Sequence, residues 1–250
     1  MNRDEFVPGL ADAQRLNAGD RHGTHWLPAE CDVSIRPGWF YHPAEDERVR
    51  VPENLLDLYF RSVGRGAVLL LNLPPDRRGQ IHEADVRALQ GFRKLLDQTF
   101  ATNVAPNTTS IAATGATGDA GDGPFAAQNV LDGRRETFWT PGEGVCTPEL
   151  VLGFDRPVQF STIGLREHLP LGQRVEAFAV DTWQDGDWHE IGCGTSVGHR
   201  RLLRVDTPPT TRVRLRITQA PVCPAISEFC LLATTLPGRA HPAPTRDAAT

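Results

Sequence analysis

Residues 67–75 read AVLLLNLPP, a continuous apolar run that is closed by a double proline. A run that is apolar on both faces favours a strand of a parallel sheet with helices packed on it. Before it, residues 52–64 place apolar side chains at helical spacing after Pro52, and Gly64 is the expected helix stop. After it, residues 82–100 repeat apolar side chains every three or four positions, which predicts an amphipathic helix. Helix, buried strand and helix form one unit of an α/β architecture.

The sequence also predicts how the chain divides into domains. A single α/β unit cannot bury its own strand, so residues 1–103 are predicted to be the end of a larger α/β domain whose start is missing. Residues 105–123 are mostly Ala, Thr and Gly, which is typical of a linker or an extended lead-in. Seven short β-rich runs then predict an antiparallel β-sandwich, so that the all-β domain spans residues 104–235. A disordered tail is expected over residues 236–250.

Charge and composition exclude some classes of partner. The formal net charge is −5, and acidic and basic residues are intermixed along the chain. Nucleic acids and anionic membranes need a basic face, so neither is expected as a partner. No stretch approaches the roughly 20 apolar residues of a membrane-spanning helix, and the N-terminus does not resemble a secretory signal. The five cysteines fit no zinc pattern, and both a disulfide among the later four and buried thiols remain open.

Residues 22–42 are the densest candidate for a functional site. They contain three histidines, two tryptophans, a tyrosine, a glutamate, an aspartate and an arginine, a mixture typical of an active-site loop. Glu30 is flanked by Trp26 and Pro28, and poor solvation there would raise its pKa and keep it protonated for acid catalysis. The alternative is a loop carboxylate that pairs with Arg36.

Two blocks of sequence carry a family resemblance. WLPAECDVSIRPGWFYH (residues 26–42) and SVGRGAVLLLNLPPDRRGQIHEADVRAL (residues 62–89) resemble the C-terminal part of the catalytic domain of glycoside hydrolase family 29, the α-L-fucosidases. The resemblance implies the last part of a (β/α) barrel and retaining hydrolysis of terminal α-L-fucosyl linkages in fucosylated glycans. It implies no organic cofactor. The family habit is secreted or extracytoplasmic, although the compartment stays open.

The resemblance also implies roles for individual residues. Glu30, in the W-x-P-x-E motif, is expected to be the general acid/base. Trp26, Trp39 and His25 are candidates for contacts with the sugar, and ordinary core aromatics and a structural loop histidine are the alternatives. Asn72 ends the apolar strand at the catalytic edge of a barrel, but we expect it to cap the following turn.

The catalytic nucleophile of the family is not recognised in this chain. The resemblance places it in a Trp-Phe-Asp-Gly context on an earlier strand, and Asp4, Asp12 and Asp20 do not follow an apolar run. Asp32 is too close to Glu30 to flank a glycosidic bond at the roughly 5–5.5 Å of a retaining pair. The chain alone is therefore expected to be inactive, with the N-terminal barrel half as its expected partner. The alternatives are a non-catalytic carbohydrate-binding protein, one half of a split fucosidase, and a start assigned inside a longer gene.

A second resemblance lies in the predicted sandwich. Residues 129–133 (NVLDG), 137–139 (TFW) and 227–229 (SEF) resemble the discoidin or coagulation-factor type C fold of many carbohydrate-binding modules. The resemblance implies a structural Ca²⁺ with hard oxygen ligands. The side-chain ligands would be Asp132, Thr137 and Glu228. A metal-free Asp-Gly turn, with Glu228 in a salt bridge, is the alternative.

Overall fold

A computed structural model describes residues 28–114 and 123–233 of the chain. The predicted tail lies outside these residues. The described part is mostly β-structure with few helices. Helix α1 is Pro52–Arg61 and helix α2 is Glu83–Phe100. The strands are β1 Glu30–Ser34, β2 Val68–Asn72, β3 Ser110–Ala113, β4 Glu149–Val158, β5 Thr162–Glu167, β6 Ala177–Gln184, β7 Asp187–Gly194, β8 Arg201–Arg204, β9 Thr210–Gln219 and β10 Ile226–Leu232. Within these ranges no helix is long and apolar enough to cross a membrane.

The N-terminal part of the described chain is a parallel strand pair with two helices on one face. Strand β2 is the predicted apolar run, and it pairs with β1 in parallel. Helices α1 and α2 pack on the pair through a small core that includes Ile35, Leu55 and Ala88. Strand β1 corrects the prediction of a loop over residues 22–42. Its sequence alternates polar and apolar side chains, and its partner lies 38 residues further along the chain, where local reading of the sequence does not find it.

Two details of this part differ from the prediction. One face of β2 is not covered by helices, since Val68 and Leu70 are 57% and 49% exposed. Helix α1 ends at Arg61, and the residue with left-handed backbone after it is Gly66, at φ 83°, rather than Gly64. Gly64 is instead buried against Leu202, whose Cβ lies 3.2 Å from where a Cβ on Gly64 would stand. It is needed for close packing and does not stop the helix.

The C-terminal part contains two antiparallel sheets. The five-stranded sheet has the order β3-β4-β9-β6-β7 and the three-stranded sheet the order β10-β5-β8. Both contribute to one core, which includes Leu152 and Leu215 from the larger sheet and Phe229 from the smaller. The seven predicted β-rich runs are confirmed as β4 to β10. Strand β3 lies in the segment predicted to be a linker or an extended lead-in. Its pairing with β4 agrees with the extended lead-in and not with a linker.

The two parts pack directly on each other. Leu202 of β8 joins Leu56 and Phe60 of α1 in one buried cluster. Arg204 forms an ion pair with Asp57 at 2.8 Å, and its guanidinium lies 4.1 Å from the ring centroid of Phe60. The predicted boundary between residues 103 and 104 therefore separates two parts that are packed against each other.

Candidate functional site

The C-terminal ends of β1 and β2 present an aromatic loop, residues 35–42. Within it, Trp39 is 50% exposed and Phe40 is 77% exposed. A flat aromatic ring that is exposed can pack on the apolar face of a sugar. In barrels of parallel strands, active sites are built at this edge, where the strands end and the loops begin. The loop is therefore the candidate site.

Asn72 and Ser34, the last residues of β2 and β1, hold the loop in place. They are register partners in the parallel pair. The Asn72 amide donates to Ser34 Oγ at 3.1 Å and to the Trp39 carbonyl at 3.0 Å. Ser34 Oγ in turn donates to the Gly38 carbonyl at 2.7 Å. Asn72 thus orients the backbone that carries Trp39, whereas the sequence predicted a cap of the following turn.

Arg36 anchors the base of the loop. Its side chain is fully buried, and Nε and Nη2 donate to the equally buried carboxylate of Asp85 at 2.9–3.1 Å. Asp46 adds an ion pair at 3.0 Å, and the guanidinium lies 4.7 Å from the ring centroid of Tyr41. Burial opposes the charged form, but the hydrogen bonds that Arg36 donates to Asp85 and Asp46 outweigh it, and the pKa of Arg36 is raised. These contacts exclude the alternative in which Arg36 pairs with Glu30.

Glu30 lies at the other end of β1. It opens the strand beside Val68, whereas Ser34 ends the strand beside Asn72. Four residue steps separate Glu30 from Ser34, about 13 Å along an extended strand. The side chain of Glu30 is exposed, so the poorly solvated surroundings expected for it are not found in the described residues. The structure therefore does not bring Glu30 together with Trp39. His25 and Trp26 lie outside the described residues.

The exposed face of the strand pair is polar on one strand and apolar on the other. Glu30 and Asp32 alternate on β1, opposite Val68 and Leu70 of β2. All four side chains are exposed. Within residues 28–114 and 123–233 nothing packs on this face, although apolar side chains gain about 25 cal/mol for each Å² that is buried. In the described residues this face is therefore half acidic and half apolar.

The predicted calcium ligands are only partly brought together. The Thr137 hydroxyl donates to Asp132 Oδ2 at 2.6 Å, and Asp132 Oδ1 accepts the backbone N–H of Arg134 at 2.8 Å. Glu228 instead pairs with Arg166 at 2.9 Å. In the described part of the chain, no group of three or more His, Cys, Asp or Glu side chains is placed to hold a metal. The donor set fits the metal-free turn better than Ca²⁺, and calcium stays a prediction. No disulfide links the cysteines of the described residues.

Comparisons with known proteins give one consistent family. A rice protein (Oryza sativa subsp. japonica) with the provisional name α-L-fucosidase 1 is 39% identical over 229 residues, which are 92% of this chain and 44% of that protein. α-L-Fucosidase 1 of Arabidopsis thaliana is 36% identical over 91% of this chain and 45% of its own length. A GH29 fucosidase of Ruminococcus gnavus, solved in complex with fucose, is 27% identical with a TM-score of 0.77, over 86% of this chain and 43% of that one.

These homologues and structural neighbours are α-L-fucosidases. The chain spans less than half the length of the two curated relatives. No protein-family model matches it.

Proposed function

We propose that this chain is the C-terminal part of a family 29 α-L-fucosidase that, when complete, hydrolyses terminal α-L-fucosyl linkages with retention. The observation that carries the proposal is similarity to α-L-fucosidases along more than nine-tenths of the chain. In this interpretation β1, α1, β2 and α2 are the last units of a (β/α) barrel, and the two antiparallel sheets form the β-sandwich that follows it. The exposed aromatic loop then lies at the active-site edge of the barrel.

Trp39 is the residue proposed to contact the sugar. Its ring is half exposed, and its backbone is held by Asn72 at the end of the neighbouring strand. Arg36 and Asp85 keep the loop in one conformation, as a platform for a rigid ligand requires. Such preorganisation lowers the entropy cost of binding.

The test is a chimera in which this chain replaces the matched C-terminal part of the Arabidopsis relative. We expect the chimera to hydrolyse 4-nitrophenyl α-L-fucoside and the isolated 250-residue chain not to. Within the chimera, Trp39→Ala should raise KM for the fucoside by about tenfold, because a stacked ring is removed. A chimera that melts in one cooperative transition and has no activity would contradict the proposal.

The acid/base role of Glu30 is proposed from its motif alone, and its place at the start of β1 argues against that role. The test uses Glu30→Gln in the chimera, with Asp32→Asn on the same strand face as the matched control. If Glu30 is the acid, its variant should lose about 10²–10⁴ in rate on a fucosyl disaccharide, whose leaving group needs a proton. With 4-nitrophenyl fucoside, whose leaving group departs without a proton, the variant should form the fucosyl-enzyme at most of the wild-type rate. Equal and small effects of both variants would remove Glu30 from the mechanism.

In the split-enzyme alternative, a partner chain would cover the exposed face of the strand pair, where Val68 and Leu70 lie. In that form a separate chain supplies the missing strands and the nucleophile. Mixing this chain with the N-terminal part of the Arabidopsis relative tests it. Recovered fucosidase activity that Leu70→Asp abolishes would support the alternative. Activity that Leu70→Asp leaves unchanged would show that the partner binds elsewhere.

A further inference from the structure

A cleft of about 360 Å³ opens in the C-terminal part, well away from the aromatic loop in sequence. Its walls include the end of β5, the loop that follows β5, and the start of β10. The lining side chains include Arg135, Arg166, His168, His199 and Ser227. None of these residues belongs to the site described above. The cleft is large enough to enclose a single sugar residue.

Arg166, which lines the cleft, is unusually buried for an arginine. Its side chain is only 9% exposed, and Nε donates to Glu228 at 2.9 Å. Its Nη1 is completely buried and has no hydrogen-bond partner in the described part of the chain. A buried charged donor without an acceptor destabilises the folded protein, because it has lost its hydrogen bonds to water and gained none in return. Such a group is expected to meet an acceptor that the described residues do not provide.

The buried carboxylate in the cleft does not serve as that acceptor. Glu167 Oε1 accepts the backbone N–H groups of Arg174 and Val175, at 2.7 and 2.9 Å. Its Oε2 accepts the N–H of Gly198 at 2.7 Å, where the left-handed backbone of Gly198, at φ 61°, forms the turn. Glu228 is already paired with Arg166. Glu136 is the other carboxylate in the lining, and it is exposed to solvent. The buried hydrogen-bonding capacity left in the cleft is therefore that of a donor, Arg166 Nη1.

The cleft also concentrates positive charge beside a fixed ring. Burial lowers the pKa of His199, and the nearby charges of Arg166, Arg135 and Arg200 lower it further. The His168 ring stacks on Phe138 at a centroid distance of 4.2 Å and an interplanar angle of 18°. Its Nδ1 lies 3.1 Å from the Arg135 carbonyl, so the ring is held from two sides. A fixed ring beside Arg135 and Arg166, whose Nη1 has no partner in the described residues, suits a ligand that is both flat-faced and anionic.

We propose that this cleft binds a sugar residue that carries an oxyanion, either a carboxylate or a sulfate ester. Arg166 and Arg135 would donate to the oxyanion, and His168 would contact the sugar ring. The choice of a sugar rests on the proposed function, while the preference for an oxyanion rests on the cleft alone. The cleft would thus direct the catalytic part to acidic glycans.

The experiment is calorimetric titration of the full 250-residue chain with D-glucuronic acid, D-galactose 6-sulfate and neutral D-galactose at low ionic strength. We expect at least one acidic sugar to bind about tenfold or more tightly than galactose, since hydrogen bonds to charged groups contribute about 1.5–3 kcal/mol. Arg135→Ala removes an exposed side chain of the cleft lining and should leave the fold intact. Arg135→Ala should weaken binding severalfold, and Arg166→Gln should weaken it further. Arg156→Ala, an exposed arginine in a different cleft, is the matched control and should have no effect.

Which acidic sugar binds identifies the oxyanion as a carboxylate or a sulfate. Acidic sugars that bind no more tightly than galactose would overturn the proposal. The same holds if Arg135→Ala and Arg166→Gln both bind like the wild-type chain while keeping its melting temperature. These measurements need no fucosidase activity. A negative binding result therefore does not affect the fucosidase proposal. An inactive chimera likewise does not affect the proposed binding of an acidic sugar in the cleft.

Discussion

The two parts of the molecule bury their strands in different ways. The antiparallel sheets share one core in which Leu152 and Phe229 are fully buried. The parallel pair β1–β2 is covered on one face only, and Val68 and Leu70 remain about half exposed on the other. An antiparallel part with a complete core can hold its shape alone, whereas a parallel pair needs further layers. In the described residues, the part proposed for catalysis is therefore the less completely buried of the two.

The largest effect is expected from breaking the buried ion pair at the base of the aromatic loop. Arg36→Ala leaves the buried carboxylate of Asp85 without its partner, which should cost about 3–5 kcal/mol in the free energy of unfolding. Urea unfolding followed by tryptophan fluorescence measures it. Arg93→Ala removes an exposed ion pair with Asp97 on the same helix as Asp85 and should change nothing measurable. Equal stability of both variants would mean that the pair does not hold this part together.

The next comparison is between two leucines, one in each part. Leu152→Ala in the antiparallel core should cost about 2–5 kcal/mol through lost burial and a cavity. Leu70→Ala on the uncovered face should cost less than about 1 kcal/mol. Chemical unfolding of both variants makes the comparison. A large cost at Leu70 would show that its face is covered in solution, by residues outside the described ranges or by another molecule.

A smaller effect is expected at the joint between the two parts. Arg204→Ala removes the ion pair with Asp57 and the contact with the ring of Phe60, together about 1 kcal/mol. Because this contact couples the parts, thermal unfolding of the variant should broaden or separate into two transitions. Calorimetry detects the change. A sharp single transition at the wild-type temperature would show that the other packing contacts suffice.

The smallest effect concerns thiol reactivity and leaves stability unchanged. Burial, and to a lesser degree Glu228, raise the pKa of Cys230 in β10 to about 12, whereas Cys193 in β7 is exposed. Burial also raises the pKa of Cys31, which is only half-buried on the open strand pair. We expect iodoacetamide to label Cys193 first, then Cys31, and Cys230 last, as mass spectrometry can follow. Labelling of Cys230 before Cys31 would mean that the thiol in the antiparallel core is more accessible than the thiol on the open strand pair.

Much of the fold could be predicted from the sequence because it depends on local patterns. The apolar run of β2, the periodicity of α2 and the seven β-rich runs are each readable within a short window. At the candidate site, Trp39 is predicted from the many polar and aromatic residues in its stretch of sequence. Its contact with a sugar stays a prediction. Glu30 was recognised from its motif, but its place at the start of β1 depends on the strand that pairs with it.

The sequence by itself therefore determined the types of α1, α2, β2 and the strands β4 to β10, and the family that the chain resembles. Only the tertiary structure decided that β1 is a strand, that Asn72 holds the Trp39 backbone, and that Arg36 pairs with Asp85 49 residues away. It also decided that Glu228 meets Arg166 across 62 residues. The physical reason is that periodicity repeats within a few residues, whereas hydrogen bonds and ion pairs depend on how distant segments approach, which no local pattern records.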